Sequence, residues 1–365
     1  MNKIKFFITL TLIIVFSASM QSQSRKFVNE FLNIGVGGRP LAMFGAVTAK
    51  TSDINSGYWN PAGLLNIEAP FQVSAMHSEW FAGIAQYDYL GFGKKLGKEG
   101  KSFGSVSLIR MGIDNIPNTL SLIGPDGRVN YDQITTFSAA DYALLLSYAR
   151  KIMGNINFGA SSKIIYRQIG KFGTAWGFGF DAGIQMQFGK ISFGLMGRDI
   201  TSTFMAWSFD FTEEEKAVLA VTGNDIPKSS VEYALPKIIA GVAYENGFGG
   251  EKKDFTYLVE FDVNLSTDGT RHAAISSNFI SLTPAAGIEL GYKKKVFLRA
   301  GAGNLQRVLN DINGTKGSYE IQPNVGLGLR LGRLNLDYAL SNAGNVSGSL
   351  YSHIFSLSLD LVKRK

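Results

Sequence analysis

From Phe71 to the end of the chain one pattern recurs: apolar residues occupy every second position, with glycine, polar or charged residues between them. Trp176, Phe178, Phe180, Ala182, Ile184, Met186 and Phe188 share one parity, and Gly177, Gly179, Asp181, Gly183, Gln185 and Gln187 share the other. Side chains alternate between faces along a strand, so this stretch is a strand with one apolar and one polar face, which the helical period cannot produce. The same division sets Phe255, Tyr257, Val259, Phe261, Val263 and Leu265 against Thr256, Glu260, Asp262 and Asn264. It returns in 324–331, 334–341 and 355–361.

Segments of this kind lie near 70–80, 84–96, 101–114, 137–151, 154–168, 174–189, 190–200, 235–247, 253–266, 283–294, 295–306, 319–331, 332–343 and 349–363. A barrel strand crosses a membrane in roughly 9–11 residues. The connections sort by parity: those after even segments are short turns, whereas 115–136, 201–234, 267–282 and 307–318 follow odd ones. Short turns at one end and long loops at the other are the habit of an outer-membrane barrel. The expectation is an all-β fold: a 14-stranded antiparallel transmembrane barrel with both termini periplasmic.

The first residues refine this. Lys3 and Lys5 precede an apolar run from Phe6 to Phe16 that ends in Ser17, Ala18 and Ser19. That is the layout of a secretory signal peptide, too short to span a bilayer as a helix. The expected division is signal peptide 1–22, an N-terminal plug 23–69 inside the lumen, and barrel 70–365. Composition agrees, with 45% hydrophobic and 12% aromatic residues, 42 Gly and only 9 Pro. Zero Cys excludes disulfides and thiolate metal sites. Removing Lys3 and Lys5 takes the net charge from +7 to +5, and the charges are dispersed. Nucleic acid, which needs a basic stripe with base-stacking groups, is therefore not an expected partner, while outer-membrane lipids are.

The block from Gly35 to Ala46 (GVGGRPLAMFGA), followed by Asp53 to Leu64 (DINSGYWNPAGL), resembles the N-terminal signature of the FadL-like barrels. Within these the chain looks most like the PorV/PorQ branch, on the blocks Met76 to Gly83 (MHSEWFAG), Tyr87 to Phe92 (YDYLGF) and Asp114 to Thr119 (DNIPNT). The resemblance implies a barrel with an N-terminal hatch. For the PorV branch it further implies an adaptor or shuttle of the type IX protein secretion system. Such a protein binds the C-terminal signal domains of secreted cargo at its extracellular rim and works with translocon or surface-attachment subunits. Other FadL-like members instead take up hydrophobic small molecules, the alternative reading, and fold alone does not choose. Two departures stand out. Phe44 occupies a position where the family has Gly, implying that the backbone is less closely approached there. The chain also ends in Lys363, Arg364 and Lys365 rather than an aromatic residue.

Candidate sites follow. Arg39, Asn60 and Pro61 are the expected plug or hatch residues, Pro61 fixing a turn after Asn60; the segment either gates a path or fills the lumen statically. In 201–234, Phe204, Trp207, Phe209 and Phe211 are the candidate partner-binding aromatics. A capping box from Thr212 to Glu215 opens a short helix beyond them. The aromatics either form a contact surface or extend the neighbouring strands. Charges assigned to the lumen, among them Arg110, Lys163, Arg167, Asp181, Glu260, Asp262, Glu289, Arg299 and Asp337, are of mixed sign and suit internal ion pairs more than a selective pore. His77, His272 and His353 sit in no catalytic or metal-binding spacing, and Asp311 to Gly314 lacks the ligand pattern of a calcium loop. No catalytic residue, metal or cofactor is expected, and Gly35, Gly37 and Gly38 lack the context of a phosphate loop.

Overall fold

A computed structural model describes residues 28–97, 100–123, 128–249, 254–267, 273, 275–277, 280–309, 317–343 and 351–362. The strands are β1 Phe71–Trp80, β2 Ala85–Leu96, β3 Ser102–Asn118, β4 Thr135–Met153, β5 Ile156–Ile169, β6 Gly173–Phe188, β7 Ile191–Arg198, β8 Thr203–Phe209 and β9 Ser230–Ala234. They continue as β10 Lys237–Phe248, β11 Phe255–Ser266, β12 Ile275–Ser276, β13 Ser281–Tyr292, β14 Val296–Leu309, β15 Gly317–Leu331, β16 Leu334–Ser341 and β17 Ser352–Leu361. Every pairing is antiparallel, and β1 pairs with both β2 and β17, so the sheet closes on itself. Fourteen strands form the ring.

The three remaining strands are extensions of the wall. At Asp199 and Ser202, both with positive φ, the strand that begins as β7 bulges and resumes as β8. β6 pairs first with β7, through Ala182–Gly197, and then with β8, through Phe178–Phe204. β9 pairs with β8 and leads, after Leu235 and Pro236, into β10. The stretch 201–234, expected as a loop, therefore contains a two-stranded flap that raises the wall at one end. Between its strands lies helix α3, Glu213–Val221, opened by the Thr212–Glu215 capping box that the sequence indicates. β12 adds two residues to the upper edge of β13.

The alternation predicted from sequence is present, with the apolar parity outward. Trp176 is 58% and Phe188 55% exposed, while Gly177, Gly179, Asp181 and Gly183 face inward and are buried. An apolar belt of this extent around a closed sheet requires lipid rather than water, and it is edged by aromatic residues as transmembrane barrels are. Among the described residues no helix is long and apolar enough to cross a membrane. Arg110 corrects one expectation. Val106 and Leu108 place its parity outside, and it pairs outward with Asp88 at 3.1 Å, while Ile109 takes the buried position.

Candidate functional site

Residues 28–69 lie within the ring, and their short elements follow from local chemistry. Helix α1, Gly38–Ala42, has Pro40 in its first turn, and α2, Ser56–Trp59, ends at Asn60 in extended backbone. Asn60 then caps the 3₁₀ turn Pro61–Asn66: its Oδ1 accepts the Ala62 N–H at 3.2 Å, and Pro61 fills the first position, where no N–H is needed. The same amide reaches outward, Nδ2 donating to the Thr48 carbonyl at 2.9 Å and to the Ile184 carbonyl of β6 at 3.1 Å. One wholly buried side chain thus ties turn, neighbouring loop and wall.

The wall holds the segment from all sides. On β11, Glu260 accepts the Ala49 N–H at 2.6 Å, and Asp262 accepts those of Val47 and Thr48 at 3.1 Å each. The Gly38 N–H donates to Ser356 of β17 at 2.8 Å, Asn324 of β15 donates to the Leu41 carbonyl at 2.7 Å, and Ser161 of β5 donates to the Gly57 carbonyl at 2.9 Å. Inward-facing glycines make room for this approach. A Cβ at Gly159 would collide with Pro61, and one at Gly301 with the Met43 and Phe44 backbone. Phe44 has φ +55°, its ring lies against Gly303 and its backbone nitrogen against Gly301, so its backbone is closely approached, contrary to the sequence expectation. The left-handed conformation explains why glycine suits this position.

Arg39 belongs to an ion-pair chain. Its Nε lies 2.8 Å from Glu289, which lies 2.6 Å from Arg299, which in turn lies 2.6 Å from Asp337. Burial alone would lower the Arg39 pKa, but Glu289 and Asp53 outweigh it and hold the value above the ordinary one. Burial pushes the Asp53 carboxyl up. A second cluster joins Lys163 to Asp181 at 2.8 Å and Asp199 at 2.6 Å. The charges of these two clusters are therefore paired, as charges removed from water must be; Glu260 and Asp262 meet backbone N–H groups instead.

Two cavities flank the inner segment. One, of about 380 Å³, opens toward the long-loop end between Phe44, Trp59, Trp80, Ile239 and Pro284, with Asn264, Thr283, Asn304 and Gln322 supplying polar groups. The other, of about 530 Å³, faces the short-turn end and is lined by charges including Arg39, Lys50, Asp53, Glu289, Arg330 and Asp360. The first is lined by apolar side chains together with many polar ones and the charged Arg198, Lys237 and Asp262, and its apolar surface exceeds its polar surface, which suits a ligand with an apolar body; the second is lined mainly by polar and charged groups.

The partner-binding aromatics separate. Trp207, Phe209 and Phe211 share a parity and continue one another: Trp207 and Phe209 stack at 5.5 Å, Phe209 and Phe211 at 6.4 Å, and Phe211 stacks on Phe172 at 5.6 Å. Trp207 donates to Glu232 at 3.0 Å, and Arg167 lies over its ring. Phe204 stands at the opposite parity, on the outer face beside the Phe178 register position, so the two-residue period removes it from the group. Trp59 and Trp80, and Glu260 and Asp262 as a clamp, join the site only in the folded chain. The charged pair on one strand face was visible, but what it faces was not.

His77 pairs outward with Asp88 at 2.7 Å, and His353 meets the Tyr338 hydroxyl at 2.8 Å; Ser78, beside His77, points inward to the Tyr87 carbonyl. His272 and the Asp311 to Gly314 stretch lie outside the described residues. Among the described residues no group of three or more His, Asp or Glu could hold a metal.

A closed antiparallel barrel with an apolar outer belt, an occupied lumen and an amphipathic cavity defines the class as transmembrane β-barrel. No family model and no curated protein matches the sequence. Solved structures do share the fold. The CymD monoaromatic hydrocarbon channel aligns over 91% of this chain and 99% of its own at TM-score 0.55 and 11% identity. The Ralstonia pickettii toluene transporter TbuX aligns over 90% and 98% at 0.53 and 13% identity. A Pseudomonas aeruginosa FadL homologue aligns over 89% and 98% at 0.51 and 12% identity. At these identities the likeness is one of fold alone, a closed antiparallel barrel of 14 strands.

Proposed function

We propose that this chain is an outer-membrane channel for hydrophobic small molecules, with its long loops outward and both termini periplasmic. In this reading residues 1–22 are removed on export, 23–69 form the plug, and 70–365 form the barrel. The observation that carries it is the cavity of about 380 Å³ walled by Phe44, Trp59, Trp80 and Ile239 above the plug. Its volume suits a molecule of one or two rings. The hydrocarbon channels and toluene transporters among the structural neighbours support the same class of ligand. Action is by binding and passage, without covalent chemistry or cofactor. Toluene binding to the barrel in nanodiscs, followed by calorimetry, tests the proposal. Saturable binding that Phe44→Ala and Trp80→Ala weaken about tenfold is expected; no saturable binding sinks it.

The type IX adaptor is the second reading, and one observation favours it. Trp207, Phe209 and Phe211 form a stacked apolar ladder on a flap raised above the ring, beside a groove of about 300 Å³. A cargo signal domain that binds the barrel, and loses that binding in Trp207→Ala, would establish it. The neighbouring structures named above are channels or a FadL homologue, so the uptake reading leads.

A further inference from the structure

The turn between β13 and β14 is built differently from four of the other short turns. The turns after β2, β6, β10 and β15 place Gly97, Gly189, Gly249 and Gly332 in the left-handed region. The turn after β13 places Lys293 at φ +49° and Lys294 at φ +54° there instead, and the Lys295 N–H donates to the Tyr292 carbonyl at 2.9 Å. This is a hairpin turn with positive φ at both central positions, for which Asn-Gly is the favoured pair. Two lysines hold it despite the backbone conformation, and all three lysines are exposed at the rim. Phe81 and Ala82 hold the same conformation in the β1–β2 turn, at φ +55° and +56°, so what sets the β13–β14 turn apart is the cationic triplet it presents.

The surroundings indicate what meets it. Tyr292 faces outward and packs on Phe255 at 4.9 Å, and Phe255 stacks on Phe248 at 5.3 Å, making an exposed aromatic arc at the edge of the apolar belt. The Lys293 ammonium lies 5.2 Å from the Tyr292 ring centre. Asp254, whose carbonyl accepts the Lys293 N–H at 2.6 Å, is the acidic residue next to the turn among the described residues. Elsewhere on this rim Lys101, Lys151, Lys190 and Arg333 are exposed at the other short turns, whereas at the long-loop end exposed acids such as Asp114, Asp132, Asp210 and Glu213 predominate. An aromatic arc at headgroup depth with a cationic triplet beyond it is complementary to acyl chains below and phosphodiesters above.

We infer that the Lys293–Lys295 turn and the Phe248–Phe255–Tyr292 arc form a docking site for an anionic glycerophospholipid in the leaflet at the short-turn end. The site is independent of what passes through the lumen. The test compares wild type with Lys293→Asn/Lys294→Gly, which removes two charges and installs the favoured turn pair. Both are placed in phosphatidylcholine nanodiscs with and without phosphatidylglycerol, and retained lipid is counted by native mass spectrometry alongside thermal unfolding. Each lysine near an anionic surface contributes about fivefold, so the variant is expected to lose about 25-fold in phosphatidylglycerol preference. In pure phosphatidylcholine it should unfold at the same or a higher temperature, because the turn is relaxed. Undiminished phosphatidylglycerol retention by the variant overturns the inference, as does a lower unfolding temperature in phosphatidylcholine. Inorganic phosphate added to wild type in phosphatidylcholine should not reproduce the stabilisation; if it does, the turn is a general anion site and the lipid assignment fails.

Discussion

Replacing Asn60 with Ala isolates the joint on which the inner segment depends. Its side chain makes three hydrogen bonds, to the Ala62 N–H and to the Thr48 and Ile184 carbonyls. The Thr48 carbonyl also accepts from Gln185 at 3.0 Å and keeps that partner, so the group left stranded is the Ala62 N–H at the head of the 3₁₀ turn. Loss of an N-cap costs about 1 kcal/mol, and a stranded buried donor about 1–3 kcal/mol; the two overlap, giving a local cost of about 2 kcal/mol. A change of that size reduces hydrogen-exchange protection of the amides in 47–66 by about 30-fold if they open as one unit. Barrel strands far from the joint, such as β14 and β15, should exchange as before, and the protein should remain heat-modifiable on a denaturing gel. Exchange measured by mass spectrometry on the barrel in detergent reads all three regions. A change below about threefold across 47–66 would refute the assignment of Asn60 as the tie between turn and wall. A uniform loss of protection over the whole barrel would refute it too, by showing the effect to be global.

Gly159→Val sets a side chain against Pro61 and should destabilise the inner segment by about 1–3 kcal/mol; planar-bilayer conductance should rise, and an unchanged closed barrel would count against the close approach. Asp53 has its pKa raised by burial, so its ionised form weakens the folded state: stability falls as pH rises from the unfolded value to the folded one. Asp53→Asn should therefore remove that acid-range slope from a thermal-unfolding series and raise the unfolding temperature at neutral pH; a slope left intact contradicts the assignment. Glu215 behaves oppositely. Its hydrogen bond to Lys171 holds the carboxyl below the usual value, and the capping box adds to this. The support it gives α3 is present above the unfolded pKa and lost as pH falls through the folded one. Helical chemical shifts over 213–221 should collapse in acid, and at higher pH in Lys171→Gln; insensitivity to both would dismiss the pairing.

The sequence alone determined the strands, their number in the ring and the end at which the long connections gather. A two-residue period is a property of neighbours along the chain and survives without knowing what each face meets. It equally determined the Asn60–Pro61 turn and the Thr212–Glu215 cap, because a cap is made within a few residues. Facing was another matter. Arg110 and Phe204 were grouped by residue type, and only the parity of Ile109 and Met205 on the folded wall shows that both look outward. The extension of the wall by β8 and β9 depends on pairing with β6 across a bulge. The clamp of Glu260 and Asp262 on residues 47–49 joins positions more than two hundred residues apart. Such contacts exist only once the sheet has closed, since closure fixes which inward side chains face the same stretch of the inner segment. The cavity between Phe44, Trp59 and Trp80 is likewise the space left when segment and wall meet, and no local pattern encodes it.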